Sequence, residues 1–264
     1  MKTVLFTSDA KRHKYIAKEL AEHTSLQLIV DEKKSVSITK NNGLNDEDTL
    51  FWKNHFKLRE NSEKQFFKDI EFPENVELLS LEHGKINSEL VQEKLKEIRP
   101  DFIILFGTSI IKRDILNLFP NKFINLHLGL SPYYKGSATN LFPFYYKEPE
   151  CVGATIHIAS EKVDAGAILC QLRPEIEVKD DMHTTGNKVI LKAGKLLPKI
   201  LQDYNSGKID LKKQSKSGKE LRIKDLNISI LKEIYKNFEQ GMIIDYIRDK
   251  EQRDLSKPIV NFNF

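Results

Sequence analysis

MKTVLFTSDAKRHKYIAKELAEHTSLQLIV, residues 1–30, is the stretch whose reading decides the fold. Met1–Thr7 is a short apolar run with β-branched members, the pattern of a buried strand. Ser8 and Asp9 then offer side-chain oxygens to cap a helix over Ala10–His23, in which Ile16, Leu20 and Ala21 recur at helical spacing. Leu26–Val30 reads as a second strand. Strand, helix and strand at this length make a parallel crossover unit, and such units build a doubly wound, mostly parallel α/β sheet of Rossmann-like type. The first turn lacks Gly-x-Gly-x-x-Gly, so a dinucleotide is not expected there, and no Walker sequence occurs.

Working outward, Ser35–Asn75 reads as a helical insertion. Asn41-Asn42-Gly43 breaks the chain, and Asp46–Asp69 then carries Leu50, Phe51, Phe56, Phe66 and Phe67 at helical distances. Trp52, His55 and Arg59 fall on one side of that helix and are the candidates if the segment closes over a site. Val76–Leu79 is the third strand. Asn87–Ile98 is an amphipathic helix ended by Pro100, and Asp101–Phe106 is the fourth strand, running into Gly107-Thr108-Ser109. Lys122–Leu128, Val152–Ala159 and Cys170–Val178 supply further strands, and Asp180, Asp181 and Thr184 introduce a long helix, Thr185–Tyr204, weakened by Gly186 and Pro198. Residues 1–206 form the expected main domain and 207–264 a short, mainly helical appendage. Its Asn227–Gln240 stripe of Ile230, Leu231, Ile234, Tyr235 and Phe238 needs cover, either from its own domain or from a second subunit in a homodimer.

The 264 residues, 40% of them apolar, suffice for one full α/β domain plus that appendage. With neither a span-length apolar run nor a leader-like start, the chain is expected in the cytoplasm, with no membrane partner. Forty-two basic against 38 acidic residues leave a net charge of +4, too even to argue for nucleic acid. A local basic excess, Gly207–Lys224, reads as a solvated linker. Cys151 and Cys170 lack ligand spacing and read as reduced, buried fillers; no metal is expected.

The chemistry concentrates in FINLHLGLSPYYKGSATNLFPFYYKEPECVGATIHIASEKVDAGAIL, Phe123–Leu169. Asn125 and His127 are two apart on a strand and therefore share a face. Asp164 lies in a following turn with Gly166, the latter read as serving a positive φ. His157, on a strand of alternating character, reads as a packing residue or as one that supports the side chains of the site from behind. An amide, an imidazole and a carboxylate beside strand ends suit attack of a neutral amine on an acyl carbon. Donors stabilise the oxygen that gains charge, and an imidazole takes the proton that the nitrogen sheds.

The ordered set Asn125-x-His127, Ser131-Pro132-Tyr133-Tyr134-Lys135-Gly136, Gly153-Ala154-Thr155-Ile156-His157 and Val163-Asp164-Ala165-Gly166-Ala167-Ile168-Leu169 resembles the formyltransferase family, over roughly Met1–Gly207. The turn differs from the family's commonest form, Ser-Leu-Leu-Pro-x-Tyr-Arg-Gly. The resemblance implies transfer of a formyl group from N10-formyltetrahydrofolate to an amine, with Asn125, His127 and Asp164 as the catalytic trio. His127 would be the base, with Asn125 and Asp164 as oxyanion and proton-relay partners. It also implies a pterin held against backbone at Phe106, Gly107 and Thr108, with Val163 nearby. Three amines compete inside the family. Methionyl-tRNA goes with a C-terminal β-barrel that the helical tail does not match, and glycinamide ribonucleotide goes with a Gly/Asn/Ser-rich first turn that Ser8–Arg12 lacks. Elimination leaves a nucleotide-linked amino sugar, serving lipopolysaccharide or other surface polysaccharide synthesis. Such a substrate wants a stacking aromatic and cations for pyrophosphate, for which Tyr133, Tyr134, Lys135, Lys11 and Arg12 are candidates. The different-class alternative is a non-catalytic folate or nucleotide-sugar binding protein.

Overall fold

The computed structural model describes residues 1–34, 45–215 and 218–262; Asn41-Asn42-Gly43 and the first residues of the expected insertion lie outside them. The described chain runs β1 (Lys2–Thr7), α1 (Lys11–His23), β2 (Ser25–Glu32), α2 (Asp46–Phe67), β3 (Glu77–Leu81), α3 (Glu89–Ile98), β4 (Phe102–Leu105), α4 (Arg113–Leu116) and β5 (Phe123–His127). It continues with β6 (Tyr134–Gly136), α5 (Phe142–Tyr145), β7 (Ala154–Ile158), β8 (Ile168–Leu172), α6 (Met182–Asn205), β9 (Lys219–Leu221), α7 (Ile228–Glu239), α8 (Met242–Arg248) and α9 (Lys250–Ser256). Seven strands form one sheet in the order β3-β2-β1-β4-β5-β7-β8. The first five in that order are parallel, and β7 and β8 continue it antiparallel. The chain reverses its direction of travel across the sheet between β1 and β4. In open α/β sheets such a reversal opens a crevice at the carboxyl ends of the strands.

Apolar side chains fill both faces of the sheet. Ile16, Leu20, Ile124, Leu126, Val189 and Leu197 belong to the core beneath α1 and α6, whereas Val4, Phe6, Val91, Leu95, Ile103 and Ile115 belong to the core beneath α3 and α4. The doubly wound arrangement expected from residues 1–30 is what forms. Helix α2 joins β2 to β3 and packs chiefly against α1 and α6. No described helix is long and apolar enough to cross a membrane.

Several local expectations need correction. Ser8 and Asp9 do not cap α1, which starts at Lys11 after Ala10 with no side-chain cap; the Ser8 N–H instead donates to His13 Nδ1 at 3.2 Å. The last sheet strand is Ile168–Leu172, not Cys170–Val178. Its ladder stops before Pro174, which has no N–H to give. The turn after Ser131 contains a strand, β6, paired in parallel with β9 of the appendage. In the loop after β7, Asp164 adopts the left-handed conformation with φ 47°, and Gly166 does not. Gly166 serves closeness instead: a Cβ there would sit 1.7 Å from the Ile158 carbonyl oxygen.

The stripe on α7 is covered by its own chain. Leu231 and Ile234 are fully buried, the Phe238 and Phe144 rings lie 4.9 Å apart, and Asn237 donates from Nδ2 to the carbonyls of Phe144 and Tyr145 at 3.0 and 3.1 Å. Cys151 and Cys170 are free and buried, and burial pushes both thiols up to about 12.

Candidate active site

Strand alternation sends Ile124 and Leu126 into the α6-side core, so Asn125 and His127 face the other way. In the antiparallel ladder Asn125 stands opposite His157 and His127 opposite Thr155. Two polar pairs, each spaced by two residues, thus meet across one strand boundary. The loop from β7 returns Asp164 to them.

Asp164 is the hub. Its Oδ1 accepts from Asn125 Nδ2 at 2.9 Å and lies 3.4 Å from His157 Nε2. Its Oδ2 accepts from the Gly136 backbone N–H at 2.8 Å and lies 3.3 Å from His127 Nδ1. Burial works against this carboxylate's charge, but His127, His157 and the Gly136 N–H outweigh it and hold the group down at about 2. Asp164 is therefore ionised at neutral pH.

Burial pushes His127 below the ordinary imidazole value, and Asp164 pulls the other way without overcoming it. With its hydrogen on Nδ1, a neutral ring would present that N–H toward Asp164 Oδ2, 3.3 Å away. Its Nε2 then stands 3.1 Å from the Tyr134 carbonyl, an acceptor that stabilises the proton once Nε2 has taken one. Gly129 leaves space at this nitrogen, since a Cβ there would lie 2.6 Å from Nε2. His157 orients the amide: its Nδ1 faces the Ile158 carbonyl at 2.9 Å, so Nε2 is free to accept from Asn125 Nδ2 at 3.1 Å. Both hydrogens of Asn125 Nδ2 are thereby directed at Asp164 and His157, which corrects the expectation that this amide N–H points at an oxyanion; Oδ1 is the remaining polar atom of the side chain.

A model of the formyl transferase family matches residues 11–201, a span that includes β5, the Asp164 loop and all but the end of α6. The chain belongs to the formyl transferase family. The methionyl-tRNA formyltransferase of Clostridium botulinum is 36% identical over 135 residues, 49% of this chain and 42% of that protein. That of Clostridium acetobutylicum is 32% identical over 152 residues, 56% of this chain and 47% of that protein. The chain thus spans less than half the length of either relative. Among solved structures, a sugar N-formyltransferase from Shewanella sp FDAARGOS_354 superposes with TM-score 0.56 at 20% identity, covering 88% of this chain and 87% of that one. A phosphoribosylglycinamide formyltransferase from Anaplasma phagocytophilum does so with TM-score 0.56 at 16% identity, covering 84% and 96%. These two likenesses concern the fold.

Around the trio, the chain distributes the other expected residues unevenly. Phe106 is buried, its N–H and carbonyl are taken by Phe6 and Thr7, and its ring lies 4.7 Å from that of His13. Its N–H is spent and its carbonyl already accepts one bond, which leaves at most one acceptor position of this residue's main chain for a pterin. Gly107 has φ 72° and its carbonyl accepts from Lys34 Nζ; Thr108 donates to the Ser109 carbonyl at 2.9 Å. Val163 is half-exposed beside Asp164. Tyr134 is fully buried and its hydroxyl bonds Glu148, so it cannot stack on a base, again against expectation. Tyr133 donates to the Pro258 carbonyl at 2.8 Å, and Lys135, 5% exposed, lies 3.6 Å from Glu220.

Lys11 pairs with Asp69 at 3.1 Å and Arg12 with Glu63 at 2.6 Å. Arg59 pairs with the same Glu63, while His55 reaches Tyr235 and His183, and Trp52 packs on Phe56; none of these contacts touches the trio. The Arg12 guanidinium is pushed down to about 10 by burial and by Arg59, and Lys34 to about 8 by burial and by Arg12. Arg12, early in α1, and Lys34, just after β2, place two cations beside the carboxyl ends of β1 and β2. Lys34, whose ammonium reaches the Gly107 carbonyl, is a candidate that the sequence does not mark, because a lone surface-type lysine after a strand carries no signal. Glu19, Glu22 and His23 bring three potential ligand atoms within 4.8 Å at the end of α1, on two exposed residues and one buried one, with no tie to the site.

Proposed function

We propose that this formyl transferase moves a formyl group from N10-formyltetrahydrofolate to the primary amine of a nucleotide-linked amino sugar. The observation that carries the transfer reading is the convergence of Asn125, His127 and Asp164 on one carboxylate-centred cluster at the carboxyl end of β5. The donor supplies an activated formyl carbon, and the chain's residues manage charge and protons around it. Asn125 Oδ1 accepts an N–H of the incoming amine and turns the nitrogen lone pair toward the carbon. As the carbon–nitrogen bond forms, the amine's proton passes to His127 Nε2, and the resulting imidazolium is held between Asp164 and the Tyr134 carbonyl. Its positive charge offsets the negative charge gathering on the formyl oxygen, an effect strengthened by burial. The same proton then leaves with the departing folate nitrogen as the old carbon–nitrogen bond breaks. Gly107, Thr108 and Val163 remain the groups to hold the donor, and Arg12 and Lys34 the cations to meet a pyrophosphate.

Support for the sugar reading comes from the tail. Where the tRNA-directed pattern puts a β-barrel, this chain carries α7, α8 and α9, packed back on the main domain. The second reading, methionyl-tRNA as acceptor, is favoured by the names of the relatives at 36% and 32% identity. Incubation with N10-formyltetrahydrofolate and a panel of nucleotide-linked amino sugars, glycinamide ribonucleotide and charged methionyl-tRNA, watching folate release, separates them. Turnover with an amino sugar is expected; turnover with the tRNA alone sinks the sugar assignment and leaves formyl transfer standing.

A further inference from the structure

Strand β6 is three residues long and both of its edges are in use. Along the outer edge it pairs with β9: Lys219 N–H donates to the Tyr133 carbonyl at 2.8 Å and Ser137 N–H to the Leu221 carbonyl at 2.9 Å. Along the inner edge, the Tyr134 carbonyl faces His127 Nε2 and the Gly136 N–H holds Asp164 Oδ2. The N–H and carbonyl of successive residues in a strand point to opposite edges, so one peptide run serves both. The fit allows no side chain: a Cβ on Gly136 would lie 2.0 Å from the Leu221 oxygen, and one on Gly218 would lie 1.6 Å from the Pro132 oxygen.

Charge reinforces the outer edge. Glu148 accepts from the Tyr134 hydroxyl and from Lys219 Nζ and Lys257 Nζ, each ammonium at 3.0 Å, and Lys219 Nζ lies 4.8 Å from the Tyr134 ring centroid and 4.7 Å from that of Tyr146. Both lysines come from the appendage. A two-stranded ladder of three residues is too short to hold by itself, and the carboxylate with its two ammonium groups supplies the missing attachment.

We propose that β9 and Glu148 are positioning groups for the transfer step: by holding the outer edge of β6 they fix the peptide run whose inner edge sets the His127–Asp164 pair. The proposal rests on the formyl-transfer reading for its kinetic consequence but not for its structural one. The titratable groups facing His127 are Asp164 and, with ring centroids 6.4 Å apart, His157.

Two variants test it. Lys219→Pro removes the N–H bonded to Tyr133 together with the ammonium; Lys219→Met removes the ammonium alone. Hydrogen exchange at the Ser137 amide reports whether the ladder opens, and the imidazole nitrogen resonances of His127 report whether the inner edge moves. For Lys219→Pro the expected result is faster Ser137 exchange, displaced His127 resonances, and a kcat lower by about tenfold to a hundredfold with little change in either KM, the size of loss that misplacement by an ångström brings. Lys219→Met should show the same pattern with a smaller loss. Opened Ser137 exchange with His127 resonances and kcat as in the wild type overturns the proposal, as does a fall in Tm alone. If Lys219→Pro does not fold, Glu148→Gln takes its place, with the same measurements and the same outcomes for and against. A wild-type protein that transfers formyl to no amine defeats the functional reading, and the His127 resonances still decide the positioning claim.

Discussion

His127 has an acceptor at each ring nitrogen, Asp164 on one side and the Tyr134 carbonyl on the other. Its base form is needed to take the amine's proton. Because burial lowers its affinity for protons, kcat/KM should stay level through neutral pH and fall only as pH drops below the usual imidazole range of about 6.5. Asp164, held at about 2, stays charged throughout and adds no limb of its own. A pH profile of kcat/KM with its acid limb above pH 7 would contradict this assignment. His127→Asn should lower kcat by roughly two to four orders of magnitude, measured by folate release at saturating substrates. These residues are legible in the sequence because polar side chains two apart on an apolar strand share a face; Thr155 and His157 carry the same mark on β7. The Tyr134 carbonyl and the Gly136 N–H are not legible, since backbone groups are the same at every position. Nor is the direction of the Asn125 amide, which His157 sets from the neighbouring strand.

Helix α6 packs tightly on α1 at Gly194, where a Cβ would lie 2.6 Å from Tyr15 Cε1 and 3.0 Å from Ile16 Cδ1. Gly186, in the same helix, has nothing within 4 Å of such an atom. Gly186→Ala should therefore stabilise the fold by about 0.5–1 kcal/mol through helix propensity alone. At Gly194 the same gain is outweighed by overpacking of about 1–3 kcal/mol, so Gly194→Ala should lower stability. Denaturant melts of the two variants check the opposite signs. At this scale the sequence is readable where elements are long and periodic: β1, α1, β2 and the stripe of α6. It is silent on β6 and β9, because three residues show no period and their partners lie some 85 positions apart, Tyr134 against Lys219. The end of β8 is poorly marked because an apolar run says where a strand begins more clearly than where pairing stops.

Across the molecule, burial depresses three histidines outside the site. His13 lies well below its ordinary value, and His55 and His183 are pushed down to about 3 and about 4. In the unfolded chain each titrates near 6.5, so below that pH the unfolded state binds more protons and stability falls; above it the full stability is present. Each group removes about 1.4 kcal/mol per pH unit. For His55 and His183 together, two units amount to about 5 kcal/mol, within the range of a typical domain's whole stability, and His13 acts in the same direction. Asp164 and Glu148, both lowered to about 2, act in a lower window, their contribution intact above their unfolded values and lost as pH falls toward 2. Tm should therefore be level above pH 7 and fall steeply from about pH 6.5, with acid unfolding near pH 4.5. Calorimetry across that range decides it, and a Tm unchanged down to pH 5 would show that these rings find their protons without opening the fold. The long-range docking of α7 has a further consequence on the ribosome. His55 and Tyr235 meet across 180 positions, and Asn237 closes on Phe144 across 93. At about 5–20 residues per second, α5 waits some 5–20 seconds in the growing chain before its cover emerges from the exit tunnel. Throughout that interval the apolar flank around Phe144 is exposed to whatever nascent-chain-binding factor is at hand.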